Sequence, residues 1–225
     1  MKRSFINTKI DEAIAFCNAN KFYLPRWAYW TADKWANVGA EADEIRNSGL
    51  GWDVTDFGSG DYTKMGLLAF TIRNGRIAAD DPLAKDYCEK LLLTAEGQYT
   101  PTHFHWAKME DIINRGGGKL EIQFWNGNPE TEEIDKVSDV IVSVDGILKT
   151  LPAGGKLLLC PGESVTIPPY LYHNFCAAAG TGMVLGGEVS RVNDDSNDNR
   201  FNPELPRFSA IEEDAPKKYL LCNEY

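Results

Sequence analysis

Histidine occurs only three times in the 225 residues. Two of the three, His103 and His105, stand two apart in Gly97-Gln98-Tyr99-Thr100-Pro101-Thr102-His103-Phe104-His105-Trp106-Ala107-Lys108-Met109-Glu110. On a strand, side chains two apart point to the same face, so both imidazoles can address one point in space. Glu110 can add a carboxylate there after a kink or bulge, while His173 lies far downstream. Imidazole nitrogen with carboxylate oxygen suits Mn, Fe, Co, Ni or Zn. Two neighbouring histidines are also ordinary core or surface residues, so the pair alone leaves ligation open. Lys108, beside these residues, is either a proton donor or a solvated charge. Glu188 is the one charge in Val184-Leu185-Gly186-Gly187-Glu188-Val189, facing either a barrel interior or a solvated edge. Lys90 alternates with apolar residues, as on any half-exposed strand.

Short strands must position these groups. Leu67 to Arg73 and Tyr87 to Thr94 are β-compatible, and Asn74-Gly75 signals a hairpin into Arg76-Ile77-Ala78. The histidine strand, Asp111-Ile112-Ile113 and Leu120 to Trp125 follow, with Arg115-Gly116-Gly117-Gly118 read as a hairpin turn. No helix with Lys-Ser/Thr succeeds those glycines, so they are not a phosphate loop. Asn128 to Lys136 is a polar loop, and Asp145-Gly146 joins Val140–Val144 to Ile147-Leu148 as a second hairpin. Leu157–Leu159, Ser164–Ile167, His173–Ala177 and Met183–Val189 complete the run, with Tyr219–Cys222 as a candidate last strand. Many short strands with glycine and proline turns mean a sandwich or barrel. Asn193–Asn199 is a polar loop without the ligand spacing and central glycine of a calcium loop.

The first fifty residues differ. Apolar residues at helical spacing predict a helix over 7–20 with Asn7 as its cap, then an extended aromatic stretch Phe22–Trp30. Thr31 caps a short helix, and a second helix runs to Asn47 before Gly49. Residues 1–50 thus read as a helical and aromatic elaboration packed on a barrel of residues 51–225, within one structural domain. Trp52, Phe104, Trp106, Phe124 and Trp125 are aromatic candidates for a ligand-stacking wall or for the core.

A formal charge of -10 and a pI near 4.8 argue against nucleic acid and anionic membranes as partners. No apolar run reaches membrane-spanning length. Asp11 and Glu12 interrupt what would have to be a signal-peptide core, so a cytoplasmic protein is expected. The five cysteines form no C-x-x-C pair and read as reduced, small apolar residues.

Far beyond the paired histidines comes Pro161-Gly162-Glu163-Ser164-Val165-Thr166-Ile167-Pro168-Pro169-Tyr170-Leu171-Tyr172-His173. Together the two stretches resemble the bipartite cupin signature. Gly97, His103, His105, Glu110 and Gly117 match its first part, and Gly162, Pro168 and His173 its second. Tyr170 replaces the usual glycine and Ala177 the usual asparagine. The resemblance implies an all-β, double-stranded β-helix (jelly-roll) barrel holding one divalent metal on His103, His105, Glu110 and His173.

Thr102–Gly116, Leu151–Gly154 leading to Ser164–Pro169, and Gly187–Asp195 further resemble the D-lyxose isomerase family. That likeness implies a manganese-dependent aldose–ketose isomerase, with cobalt able to substitute, acting on D-lyxose/D-xylulose and D-mannose/D-fructose as a homodimer. It assigns substrate contact to Lys90, His103, Lys108, Glu110, His173, Glu188 and Asp198. Lys108, Glu110 and Glu188 remain the candidates for the proton-transferring residue. A cupin dioxygenase or decarboxylase, or a non-catalytic sugar- or metal-binding cupin, are the competing functions.

Overall fold

The computed structural model describes residues 1–76 and 84–225. Thirteen strands among them form two antiparallel sheets. In chain order they are β1 (Gly51–Thr55), β2 (Leu67–Arg73), β3 (Tyr87–Thr94), β4 (Tyr99–Phe104), β5 (Glu110–Gly117), β6 (Leu120–Asn126) and β7 (Val140–Val144). There follow β8 (Ile147–Leu151), β9 (Lys156–Leu159), β10 (Ser164–Ile167), β11 (Leu171–Ala177), β12 (Val184–Arg191) and β13 (Arg200–Phe201). The larger sheet runs β1-β2-β3-β12-β5-β10-β7-β8 and the smaller β13-β4-β11-β6-β9. This is the cupin double-stranded β-helix. Alternate residues of β5, β6, β7 and β11 are buried, and Ile112, Ile122, Phe124, Val142, Val165 and Phe175 fill the space between the sheets.

The strands β1, β2, β3 and β12 are instead buried on both faces over most of their length. Their outer face is covered by helix α1 (Arg3–Ala19) through Ile6, Ile10, Ala13 and Cys17, and by Tyr219 and Leu221 near the C-terminus. A sheet covered on both sides reads as a continuous apolar run rather than an alternation, as in Leu67-Leu68-Ala69-Phe70 and Leu91-Leu92-Leu93. Arg3, fully buried, pairs with Glu213 and Glu224, so the tail and the first helix are joined ionically as well.

The hairpin at Asp145-Gly146 forms as expected, both residues in the left-handed region at φ 49° and 83°. Thr31 caps helix α2 (Ala32–Trp35) through its side chain, and α3 (Asp43–Asn47) ends before Gly49. Four expectations are corrected. Asn7 does not cap the first helix, which begins at Arg3; its side chain bonds the backbone of Pro216 and Lys218 instead. Phe22–Trp30 is extended at Pro25 and Trp30 but closes a 3₁₀ turn over Arg26–Tyr29, with the Ala28 N–H on the Pro25 carbonyl. Arg115–Gly118 is not a hairpin turn: β5 belongs to the larger sheet and β6 to the smaller. There Gly117, at φ 78°, passes so close to the Met183 carbonyl that a β-carbon would lie 2.3 Å from it, and the chain crosses between sheets. Tyr219–Cys222 makes only a single bridge, Leu221 to Trp52, and the last strand is β13. The second arm of the Asn74-Gly75 hairpin falls at residues 77 and 78, outside the described residues.

Candidate active site

His103 lies on β4 directly opposite His173 on β11, with ring centroids 4.2 Å apart. His105 follows just past the end of β4. One nitrogen from each of the three rings falls within 4.8 Å of the others, and all three side chains are buried. Glu110 opens β5 and reaches the cluster from the other sheet. Its Oε1 is 3.1 Å from His173 Nε2 and its Oε2 is 3.4 Å from His105 Nε2.

The second ring nitrogens decide how this cluster is used. Each Nδ1 faces a backbone carbonyl: His103 that of Pro101 at 2.8 Å, His105 that of Asp198 at 2.5 Å, and His173 that of Leu171 at 3.0 Å. A carbonyl can only accept, so Nδ1 carries the proton and Nε2 presents a lone pair to the centre. Burial, with His173 and His105 beside it, drives His103 well below the ordinary histidine range and keeps it neutral. His173 Nε2 has no hydrogen-bond donor among the described residues and sits against a carboxylate oxygen. Two acceptors at that distance repel unless a cation lies between them. Three imidazoles whose Nδ1 atoms face carbonyls, together with one carboxylate, therefore fit a divalent transition metal.

Tyr170 keeps the conformation that the cupin glycine provides. Its φ is 60°, and its backbone N–H donates to the His105 carbonyl at 3.0 Å. Left-handed backbone costs a non-glycine residue about 1 kcal/mol or more. The Tyr170 ring stacks on Phe104 at 5.2 Å, a contact that offsets part of that cost.

Beside the histidines lies a buried chain of charge. Lys108 Nζ is 2.8 Å from Glu110 Oε2 and 2.8 Å from Glu188 Oε1. Ser190 Oγ donates to Glu188 Oε1, and Lys90 Nζ lies 4.0 Å from Glu188 Oε2. Lys90 also meets Asn193 at 2.5 Å and Asp195 at 3.3 Å, and Arg207 bridges Asp195 and Asp53. Burial pushes the Glu188 and Glu110 carboxyls up, but Lys108 beside both, with Lys90 near Glu188, pulls them below the ordinary range. Burial likewise lowers Lys108, and the two glutamates raise it by more. The carboxylates are thus ionised and Lys108 is protonated at neutral pH. A base and an acid stand side by side next to the imidazoles, as a proton shuttle requires.

These groups line a cavity between the sheets that is partly open to solvent. It gathers His103, His105, His173, Lys90, Lys108, Glu110 and Glu188, seven of the eight residues singled out in the sequence. The eighth, Asp198, does not line it. Its carboxylate accepts the backbone N–H groups of Ala107 and Lys108, both at 2.9 Å, while its carbonyl holds His105. It clamps the loop that carries a histidine and the lysine. The aromatic candidates divide similarly: Trp52 and Phe124 are core, Phe104 packs on Tyr170 and Tyr172, and Trp106 bonds Glu132. Trp125 lies against Gly154. The cavity's aromatic rings are Phe57, Phe175 and Phe201. Asp195, Arg207 and Thr100 also line it and were missed. The polar loop after Glu188 was a signal for Asp195; Arg207 lies in an irregular tail with no periodicity to mark it.

Comparison with known proteins agrees with this geometry. The chain is 45% identical over 226 aligned positions to a D-lyxose/D-mannose isomerase of Escherichia coli O157:H7, covering 100% of this chain and 98% of that protein. Identity and coverage are the same for a D-lyxose/D-mannose isomerase of Serratia proteamaculans. In fold it is similar to the Cellulomonas parahominis L-ribose isomerase solved with L-psicose, at TM-score 0.63 and 17% identity, covering 94% of this chain and 98% of that one. The Geodermatophilus obscurus L-ribose isomerase gives TM-score 0.63 at 16% identity, with the same coverage. A family model described as D-lyxose isomerase matches residues 1–225, and the chain belongs to that family of sugar isomerases.

Proposed function

We propose that this sugar isomerase interconverts D-lyxose and D-xylulose, with D-mannose and D-fructose as a second pair, through an enediol and with a divalent metal. The observation that carries the reading is the bare His173 Nε2 facing Glu110, with the ionised Glu188 held against Lys108 alongside. The names of the whole-length relatives support the substrates.

His103, His105, His173 and Glu110 would hold the metal. When bound, it supplies Lewis-acid polarisation of the sugar's oxygens. A mixed nitrogen and oxygen donor set suits Mn²⁺, and Co²⁺ can substitute. Converting an aldose to its ketose moves one proton from C2 to C1 and one between the two oxygens. Glu188 takes the C2 proton as O1 gains one, leaving an enediol. O2 then gives its proton to the Lys108 amine that donated to O1, as Glu188 returns a proton to C1, so oxidation at C2 balances reduction at C1. Lys108, protonated and fixed between two carboxylates, donates to the oxygen on which charge develops. Lys90 and Ser190 hold the base in place. We infer that the protein acts in the cytoplasm as a homodimer, as the family likeness implies.

D-Lyxose incubated with chelator-stripped protein, with and without Mn²⁺ and with and without oxygen, tests this. The expected result is D-xylulose only with the metal. Conversion that requires oxygen favours a dioxygenase, and sugar binding without conversion favours a non-catalytic cupin.

A further inference from the structure

Thr100 is the one buried polar side chain at the apolar end of the cavity, and its position follows from an irregularity in β4. In the β4–β11 ladder His103 opposes His173, yet Thr100 opposes Phe175, so three steps on β4 match two on β11. An extra residue in one strand reverses the alternation beyond it. The extra residue falls at Pro101-Thr102, where proline has no N–H to give the ladder. Thr102 consequently turns outward, accepting a bond from Asn174, while Thr100 and His103 share the inner face. Without the bulge, Thr100 and His103, three apart, would face opposite sides.

Phe175 stands opposite Thr100 across the ladder, and Leu67, Ala69 and Leu92 are the apolar residues that β2 and β3 give to the cavity wall. Thr100 is 2% exposed, and its Oγ1 has no hydrogen-bond partner among the described residues. Buried hydroxyls are ordinarily paired, and an unpaired one is a cost that a bound molecule can remove. Two residues of strand separate its level from that of the histidines, about 6–7 Å along the barrel. That is the scale of an open-chain sugar measured from its reacting carbons to its far end.

We infer that Thr100 is a specificity-determining residue whose hydroxyl bonds the terminal hydroxyl of the aldose, the one farthest from C1 and C2. The inference rests on the proposed isomerase reading, which places C1 and C2 at the histidines. The rest of that end offers only apolar surface, so a chain lacking its terminal hydroxyl leaves the threonine unpaired.

The test pairs two proteins with two sugars. Wild type and Thr100→Val, which is nearly isosteric, are assayed on D-lyxose and on 5-deoxy-D-lyxose, and binding of each sugar is measured by calorimetry. Conversion of D-lyxose by wild type tests the isomerase reading independently of the variant. The expected result is that Thr100→Val lowers both kcat/KM and affinity for D-lyxose by about three- to tenfold, the weight of one neutral hydrogen bond. The same change leaves 5-deoxy-D-lyxose unaltered, so the preference between the sugars shrinks by that factor. Thr100→Ser should restore the preference. Equal losses on both sugars would assign Thr100 to packing and overturn the inference, as would no loss on either.

Discussion

Replacing Glu188 with glutamine keeps the shape of the side chain and removes its capacity to take a proton. Its environment sets the magnitude of each consequence. Lys108 would retain Glu110 at 2.8 Å and Lys90 would retain Asp195 at 3.3 Å and Asn193, so neither cation is stranded. The amide oxygen can still accept from Lys108 and Ser190. What is lost is the charge assistance of those two bonds, about 1–1.5 kcal/mol each and so about 2–3 kcal/mol. For a chain of this length that corresponds to a fall in Tm of about 4–12 °C. Loss of a general base costs about 10²–10⁴-fold in turnover. The variant should therefore fold, bind metal at the wild-type level, and isomerise D-lyxose at least about a hundredfold more slowly. Turnover, bound metal, Tm and incorporation of solvent deuterium at the sugar C2 position are measured together. Deuterium exchange at the wild-type rate would refute the assignment and move the base to Glu110 or Lys108. Loss of metal or of the fold would make Glu188 a structural residue.

Three further outcomes follow from the geometry. His173→Ala removes one of the four proposed metal donors and should sharply reduce bound manganese by elemental analysis; unchanged metal content would refute the ligand set. Asp198→Ala frees the N–H groups of Ala107 and Lys108, and should weaken metal affinity by about 10–100-fold, as for other groups that orient ligands; a rise in KM with metal affinity unchanged would instead place Asp198 on the sugar. Burial pushes the Asp195 carboxyl up, but Arg207, Lys90 and Lys108 pull it well below the ordinary range. With the folded value below the unfolded one, its stabilisation is complete above about pH 3.9 and lost as pH falls through the folded value. Asp195→Asn should flatten the acid limb of stability below that pH. Because the side chain is 22% exposed, the cost at neutral pH should stay under the ~3–5 kcal/mol of a fully buried broken pair.

The strands were legible because their signals are local. Leu67–Arg73 and Tyr87–Thr94 have the bounds read from the sequence, and Asp145-Gly146 turns where its residue types demand it. The glycine-rich turn misled because Arg115–Gly118 carries the chemistry of a tight turn but not the identity of the strand it leads to. Whether β6 pairs with β5 or crosses to the other sheet depends on contacts with Met183 and Leu159, distant in sequence. The start of the first helix is hidden for a similar reason: Asn7 has a cap's side chain, but the tail segment around Pro216 and Lys218 engages it.

Site residues divide along the same line. His103, His105 and Glu110 were legible from spacing, and His173 and Glu188 from the company they keep in short motifs. Asp195 and Arg207 carry no such mark, since their role exists only where the loop after β12 and the irregular tail converge on Lys90 and Asp53. Asp198 shows a further limit. A family likeness can align a carboxylate with a sugar contact, yet it cannot say which way the carboxylate turns, and here two consecutive backbone N–H groups claim it. Tyr170 marks the opposite case. Its side chain departs from the cupin signature, while its left-handed φ and its N–H on the His105 carbonyl supply what the glycine would have supplied. At this position the backbone conformation, rather than the side chain, is what meets the carbonyl of the histidine proposed to bind the metal. Any residue whose contacts offset the strain can meet that requirement, and the Tyr170 ring on Phe104 does so here.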